Sequence, residues 1–141
     1  MTYATRDHIK EVTPERDLIL LTDFDGAADA VDDTKLDAAL TDATAEINGY
    51  ISKRVTLPLP ETPDMLRVVC RELAIYRLHA NVGRVTETQE KLRDAAISFL
   101  KQVQDGKTSI GDDQDTVQTS EGAVTAEGPE RVMTRESLKG F

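Results

Sequence analysis

The sequence predicts an all-α protein, a small bundle of about four to five helices followed by an extended C-terminal arm. Apolar residues recur at helical spacing in several segments of residues 1–105, and a proline-rich elbow separates the two longest of them. Residues 106–141 are instead mostly polar and acidic, a composition that cannot form its own core. We therefore divide the chain into a helical bundle domain, residues 1–105, and a flexible or extended C-terminal arm, residues 106–141.

Two short helices are predicted near the N-terminus. Thr5 can cap a helix over residues 6–12, because a threonine hydroxyl accepts hydrogen bonds from the first backbone amides of a helix. Thr13 and Pro14 then form a restart signal, with Thr13 as N-cap and Pro14 at the first helical position. We expect this second helix to run through residues 18–21 and to end in a loop.

A long amphipathic helix is predicted next, with Asp33 or Thr34 as its cap. Its apolar positions step by four, three, four, three and one residues, which places them on one helical face. These positions are Leu36, Leu40, Ala43, Ile47, Tyr50 and Ile51. Gly49 lowers helix stability by about 1 kcal/mol relative to alanine, so we expect a neighbouring element to pack closely against it.

The elbow and the helix after it are predicted to form the centre of the core. Residues 57–63 contain three prolines and cannot continue a helix, so we expect an extended corner whose leucines tuck under the bundle. Asp64 is predicted to cap the next helix. Apolar residues between Met65 and Leu78 cover nearly its whole circumference, which is typical of a helix buried on most sides.

The last predicted helix begins with a capping box formed by Thr86 and Gln89. Its apolar residues again recur at helical spacing and predict the face that packs on the bundle. That face consists of Leu92, Ala95, Ala96, Phe99, Leu100 and Val103. We expect the helix to stop near Gly106.

The acidic charge of the chain is unevenly distributed. The net charge is −9, and residues 23–46 carry eight acidic side chains against Lys35 alone. Residues 112–130 add six acids and no base. Such a surface repels phosphate, so sequence-specific nucleic-acid binding is not expected. An acidic surface could also line a channel through which DNA passes without adhering to the wall. The simpler alternative is that the acidic side chains keep the protein soluble.

Hydropathy predicts a protein made in the cytoplasm that does not enter membranes. No apolar stretch approaches the roughly 20 residues of a membrane span. The N-terminal residues also lack the apolar core of a signal peptide.

A short aspartate run, residues 23–26, begins like a calcium-binding loop. In an EF-hand loop, further ligands follow at the fifth and twelfth positions, with glycine at the sixth. Ala27, Ala28 and Thr34 occupy these positions here, so the run lacks the bidentate ligand and the turn glycine. We therefore predict a turn with capping aspartates rather than a metal site.

The remaining reactive side chains do not form a recognisable catalytic pattern. His8 and His79 lie far apart in the chain, and neither is accompanied by a ligand cluster, so both are interpreted as helix-end or surface residues. Cys70 falls on the buried helix and is expected to behave as an inert small hydrophobe. We expect no catalytic residues, no metal ligands and no cofactor, and hence no enzyme.

The C-terminus ends in an apolar and basic tip. We interpret it as a docking peptide on the arm, and the alternative is an ordinary tail that folds back on its own domain. The predicted partner-binding residues are Arg131, Val132, Met133, Arg135, Leu138 and Phe141.

Several segments together resemble one protein family. They are MTYATRDHI at the start, LILLTDFDG, LDAALTDATAEINGYISKRVTLPLP, LRVVCRELAIYRLH and the terminal RVMTRESLKGF. In this order they resemble the Mu-like phage gp36-like family, a domain of unknown function whose members are encoded among virion head and tail genes. Together the segments span most of the chain.

The resemblance implies a structural virion protein, a head–tail connector or adaptor at the neck of the particle. Similar helical adaptors form a ring, commonly a dodecamer, beneath the portal protein and above a stopper or tail-completion protein. The expected partners are thus the portal, neighbouring copies and the stopper, with DNA passing through the ring without sequence-specific binding. The alternative function is a small cytoplasmic helical regulatory module that binds another protein.

Overall fold

The computed structural model describes residues 1–111, which form five α-helices. No β-strand occurs within this range, and the predicted all-α fold class is confirmed. The helices are α1 (Arg6–Lys10), α2 (Glu15–Thr22), α3 (Asp33–Ile51), α4 (Asp64–Asn81) and α5 (Glu87–Gln104). Most of the predicted arm lies outside the described residues, so its conformation and the proposed domain boundary stay predictions.

Helices α3, α4 and α5 form an antiparallel three-helix bundle. The pair α3 and α4 has the most extensive contact, and α5 packs on both. The short helices α1 and α2 close the remaining side of the bundle, α1 against α3 and α4 and α2 against α4. Because α4 lies between the other helices and each of these turns apolar side chains toward the bundle, the arrangement buries them in a single core.

The core is aliphatic, and α4 runs through its centre. Between residues 68 and 79 of α4 no side chain is exposed. The predicted central position of this helix is therefore confirmed. Its largest fully buried side chains pack against those of the other four helices. The fully buried set includes Ile9, Leu18, Leu36, Leu40, Ile47, Ile51, Leu66, Leu73, Leu78 and Leu100.

Three helix starts differ from the prediction by one residue. Pro14 and Pro63, not Thr13 and Asp64, are the N-caps of α2 and α4, because their ψ angles of 144° and 141° keep them extended. The cap of α3 is Asp32, whose carboxylate accepts hydrogen bonds from the amides of the second and third helical residues. At the other end of α1, the helix stops at Lys10 and not at residue 12.

The buried face of α5 is rotated relative to the prediction. Leu92 and Ala95 are exposed, whereas Ile97, which the prediction left out, is buried. The inward positions are 93, 96, 97, 100 and 103, which again recur at helical spacing. The first of them is Arg93, whose guanidinium reaches Glu46 of α3. The prediction used only apolar residues and therefore left out Arg93, although this side chain faces inward. As a result, it placed the buried face too far toward one side of α5.

The expectation of a close neighbour at Gly49 is wrong. A Cβ atom added at this position would meet no atom within 4 Å, and the residue is exposed on α3. The thermodynamic cost of glycine in this helix is therefore not offset by tight packing at that point.

The leucines of the elbow lie under the bundle as predicted, and the chain after α5 packs beside the elbow. Leu59 is buried and Leu57 packs partly buried on the core, under the bundle. After α5 the chain turns at Gly106, whose φ of +75° favours glycine, and the Arg54 Nε–H donates to the Gln104 carbonyl at 2.9 Å. Ile110 then returns to the core and is only 1% exposed.

Candidate interaction surfaces

All six predicted partner-binding residues lie outside the described residues, so the structure shows only where the chain leads toward them. They are Arg131, Val132, Met133, Arg135, Leu138 and Phe141. The last described residue, Gly111, lies beside Pro63 of the elbow. With Met65 and Ile110 these residues line an open groove of about 500 Å³. The segment that carries the predicted docking tip therefore departs from the elbow side of the bundle.

The acidic run at the start of α3 is partly neutralised by α1. Arg6 donates from Nε to Asp37 at 2.7 Å and from Nη1 to Asp33 at 3.2 Å, and Lys10 lies 3.6 Å from Asp33. The hydrogen bond from Arg6 lowers the pKa of Asp37 below its usual value. Because these side chains are about half exposed, the pairs orient α1 on α3 more than they stabilise the fold.

Asp23 organises the loop between α2 and α3, as the turn prediction stated. Its carboxylate accepts hydrogen bonds from the amides of Asp25, Gly26 and Ala28, at 3.1, 3.0 and 3.0 Å. These bonds, led by the one from Ala28, lower the pKa of Asp23. Within residues 1–111, no group of three or more histidine, cysteine, aspartate or glutamate side chains could hold a metal ion.

Lys35 fastens the same loop from α3. Its ammonium group donates to the Thr22 carbonyl at 2.7 Å and lies 3.6 Å from the centre of the Phe24 ring. The Thr22 hydroxyl in turn accepts from the Asp32 amide at 3.0 Å. Although the loop has no regular secondary structure, it is held at both ends, and the ring of Phe24 remains 58% exposed.

Glu46 joins the three long helices. It accepts from Arg77 of α4 at 2.8 Å and lies 3.6 Å from Arg93 of α5. The Arg93 guanidinium also stacks over the Tyr76 ring at 5.0 Å. This cluster is half-buried, and its contacts stay within the bundle. We interpret it as a structural link between helices rather than a reactive site.

Cys70 lies in the core and lacks the environment of a nucleophile. Its sulfur is 3.6 Å from the Thr44 hydroxyl, and burial raises the pKa of its thiol. The same Thr44 hydroxyl accepts from the Tyr3 amide at 3.3 Å, which fixes the first residues of the chain along α3. A raised thiol pKa keeps the group protonated and weakly nucleophilic.

The two histidines lie at different helix ends and do not meet. His8 accepts from the Thr5 amide at 3.0 Å in the first turn of α1. His79, in the last turn of α4, lies between the Arg84 carbonyl at 3.2 Å and the Gln89 side-chain amide at 2.7 Å. Burial lowers the pKa of His79, which favours the neutral ring that these two partners require.

The comparisons with known proteins identify the family. Residues 3–127 match the family described as Bacteriophage Mu, Gp36. The chain belongs to this family. The resemblance inferred from the sequence segments is thereby confirmed, and the protein is phage-related.

Two relatives show how far the similarity to Mu gp36 proteins extends. The Mu-like prophage FluMu protein gp36 of Haemophilus influenzae is 35% identical over 116 residues, 81% of this chain and 80% of the relative. Gene product J of Escherichia phage Mu is 33% identical over 143 residues, 100% of this chain and 99% of the relative. The similarity to the phage protein therefore includes the C-terminal residues beyond the described bundle.

The helices of this gp36-family protein differ from membrane-spanning helices. Across residues 1–111, none of them combines the necessary length with sufficient apolar character.

Proposed function

We propose that this protein is a structural component of the virion, a head–tail connector that forms a ring between the portal and the stopper or tail. The observation that carries the proposal is the match of residues 3–127 to the Bacteriophage Mu gp36 family, supported by end-to-end similarity to a Mu gene product. Its proposed place is the neck of the particle, after synthesis in the host cytoplasm.

The geometry of the bundle supports a role without catalysis. Three side chains of types that nucleophilic or acid–base sites use are engaged in the fold. Cys70 is buried as a thiol, both oxygens of Asp23 accept backbone amides, and His79 is held between two polar partners. We therefore propose that the protein works by binding other proteins and not by chemistry.

The partners we propose are the portal protein, neighbouring copies in a ring such as a dodecamer, and the stopper or tail-completion protein. The arm would carry the contact residues, with Met133, Leu138 and Phe141 as apolar anchors. A segment that orders on binding adds contact area but loses conformational entropy. The net charge of −9 supports a ring through which DNA passes without sequence-specific binding.

The test is a light-scattering mass measurement after mixing the chain with purified portal from the same genome. We expect a defined multi-copy complex with the full-length chain and none with a chain that ends after Gly111. The cut is placed there because Ile110 belongs to the core, so a cut after residue 105 would also damage the bundle.

Each outcome of this test has a distinct meaning. Binding by both chains would retain the connector and move the portal contact to the bundle. No binding by either chain, with helical content and cooperative melting intact, would contradict portal binding and favour the alternative, a cytoplasmic regulatory module that binds another protein.

A further inference from the structure

The described bundle is electrically polarised along its length. We define the elbow half as residues 47–76 and 97–111, and the loop half as residues 1–46 and 77–96. The elbow half carries six basic and four acidic side chains, whereas the loop half carries eight basic and fifteen acidic ones. Since the elbow half contains the C-termini of α3 and α5 and the loop half contains the α2–α3 loop, opposite charges lie at opposite ends.

Three of the six basic side chains of the elbow half are exposed and form no ion pair in the described part of the chain. Lys53, Lys101 and Lys107 are exposed, and within residues 1–111 none of them forms an ion pair. Their positions near helix C-termini also give each a local stabilising role. The exposed acids of the same half are Glu61, Asp64 and Asp105. The result is a basic end on a protein whose net charge is strongly negative.

The loop half presents the opposite surface. Asp25 and Asp29 are exposed and likewise form no ion pair within the described range. The sequence alone overstated this acidity, because Arg6 and Lys10 neutralise Asp33 and part of the α3 run. Asp25 and Asp29 lie in the α2–α3 loop, and other exposed acids of this half, such as Glu11 and Glu90, are distributed over the helices and their connections.

Exposed apolar side chains accompany both charged ends. Leu20 and Phe24 are 49% and 58% exposed in the loop half, and Met65 is 43% exposed in the elbow half. In the contact proposed below, these side chains would supply an apolar centre within a polar rim.

We propose that copies of this chain associate head to tail, with the loop end of one copy against the elbow end of the next. The inference rests on the proposed ring and names the surfaces that would build it. Because the two contacting surfaces differ, the contact is heterologous, and repeating it gives a closed ring when the rotation between copies closes. A two-fold contact made end to end would place like charges opposite each other, which is unfavourable. A two-fold contact made side by side would pair opposite charges but would stop at a dimer, so oligomers larger than a dimer distinguish it from the head-to-tail contact.

The first experiment maps the contact by cross-linking the full-length chain with a short bismaleimide, both free at high concentration and bound to portal. In the double variant Asp25→Cys/Lys107→Cys we expect a ladder of covalent oligomers. Each single variant should give no cross-linked dimer, since a head-to-tail contact never places two equivalent positions together. The buried Cys70 is retained.

The matched control for cross-linking is Asp42→Cys/Asp94→Cys. Both positions are exposed, but they lie along the sides of α3 and α5 rather than at either end. We expect no ladder from this pair. A ladder from the control pair, dimers from single variants, or no ladder from the 25/107 pair in either condition would overturn the proposal.

The second experiment reverses charge and then restores complementarity. We expect Asp25→Lys/Asp29→Lys and Lys53→Glu/Lys107→Glu each to lose association by light scattering, because the exposed unpaired charges on the two contacting surfaces then have the same sign. An equimolar mixture should associate again, since every basic end meets an acidic one. Asp42→Lys/Asp94→Lys matches the first charge change away from the ends and should associate normally. Variants that associate as well as the unmodified chain would overturn the proposal.

The competing occupant of the basic end is the chain's own acidic segment, residues 112–130, which follows directly from Gly111. The variant Lys53→Cys/Glu121→Cys distinguishes the two. A cross-link within one chain that forms in place of the 25/107 ladder would overturn the head-to-tail contact. Portal binding without the ladder would leave the connector function intact, and a ladder without portal binding would leave only the self-association.

Discussion

Helices α4 and α5 are equally long but are buried to different extents. Each has eighteen residues with apolar positions at helical spacing. Helix α4 has contacts with all four other helices, and its middle has no exposed side chain, whereas the first turns of α5 leave Leu92 46% exposed. The comparison shows that a helix's place among its neighbours determines how much of its apolar surface is buried.

The largest expected effect comes from placing a charge in the middle of α4. Leu73→Asp puts an ionised carboxylate where the side chain is 1% exposed, and burial of an unpaired charge is strongly unfavourable. We expect a loss of about 4 kcal/mol or more, a large part of the 5–15 kcal/mol that stabilises a typical domain. Circular dichroism should show lost helicity and no cooperative melting.

The same chemical change in α5 serves as the control. Leu92→Asp should alter the free energy of unfolding by no more than about 0.5 kcal/mol, because that side chain already contacts water. If Leu73→Asp melts cooperatively with full helicity, α4 is not the centre of the core.

A smaller effect should separate the two halves of α5 itself. Leu100 is fully buried, so Leu100→Ala should lower the free energy of unfolding by about 2–5 kcal/mol through lost burial and the cavity left behind. Leu92→Ala removes the same atoms from an exposed site and should change the free energy of unfolding by less than about 0.5 kcal/mol. Urea unfolding measures both, and equal losses would show that the buried face of α5 is misplaced.

The smallest expected effect concerns the joint between α4 and α5. Burial lowers the pKa of His79, whereas in the unfolded chain it should be near 6.5. The unfolded state therefore binds the proton more readily, so this contribution to stability is complete above that pH and is lost as the pH falls below it.

The measurement for the joint is the urea midpoint at several pH values for the unmodified chain and for His79→Gln. The difference between the two midpoints reports on His79, because the carboxylates titrate in both proteins. One of these carboxylates, Asp17 of α2, raises the pKa of His79. The difference should shrink or change sign as the pH falls from 7.5 to 5.5. A pH-independent difference would contradict the proposed hydrogen bonds to Arg84 and Gln89.

The fold was largely predictable because its helices follow local rules. The capping box of Thr86 and Gln89 forms as expected, and Gly83 with its φ of +67° ends the preceding segment. The misassigned caps at Pro14, Asp32 and Pro63 lie one residue from those predicted. The N-cap is the residue whose backbone is still extended just before the helix begins. The polar residues near a helix start do not show in the sequence which residue that is.

The interaction surfaces were less predictable. The sequence correctly indicated an acidic region over residues 23–46, but Arg6 and Lys10 neutralise part of it from positions more than twenty residues away. The basic end was missed altogether, since its lysines lie at or just beyond the C-terminal ends of α3 and α5, which are far apart in the chain. Charge at a surface is a sum over neighbours in space, so it can be evaluated only after folding.

By itself, the sequence determined the all-α class, the helices, the central place of α4, the turn at Asp23 and the family, because each rests on local spacing or on the order of segments along the chain. Only the tertiary structure decided which edge of α5 is buried, which acids are neutralised and that the bundle has a basic end. These properties depend on contacts between distant residues such as Glu46 with Arg93 and Arg54 with Gln104. Helical periodicity specifies a face for each helix, but only packing specifies what that face meets.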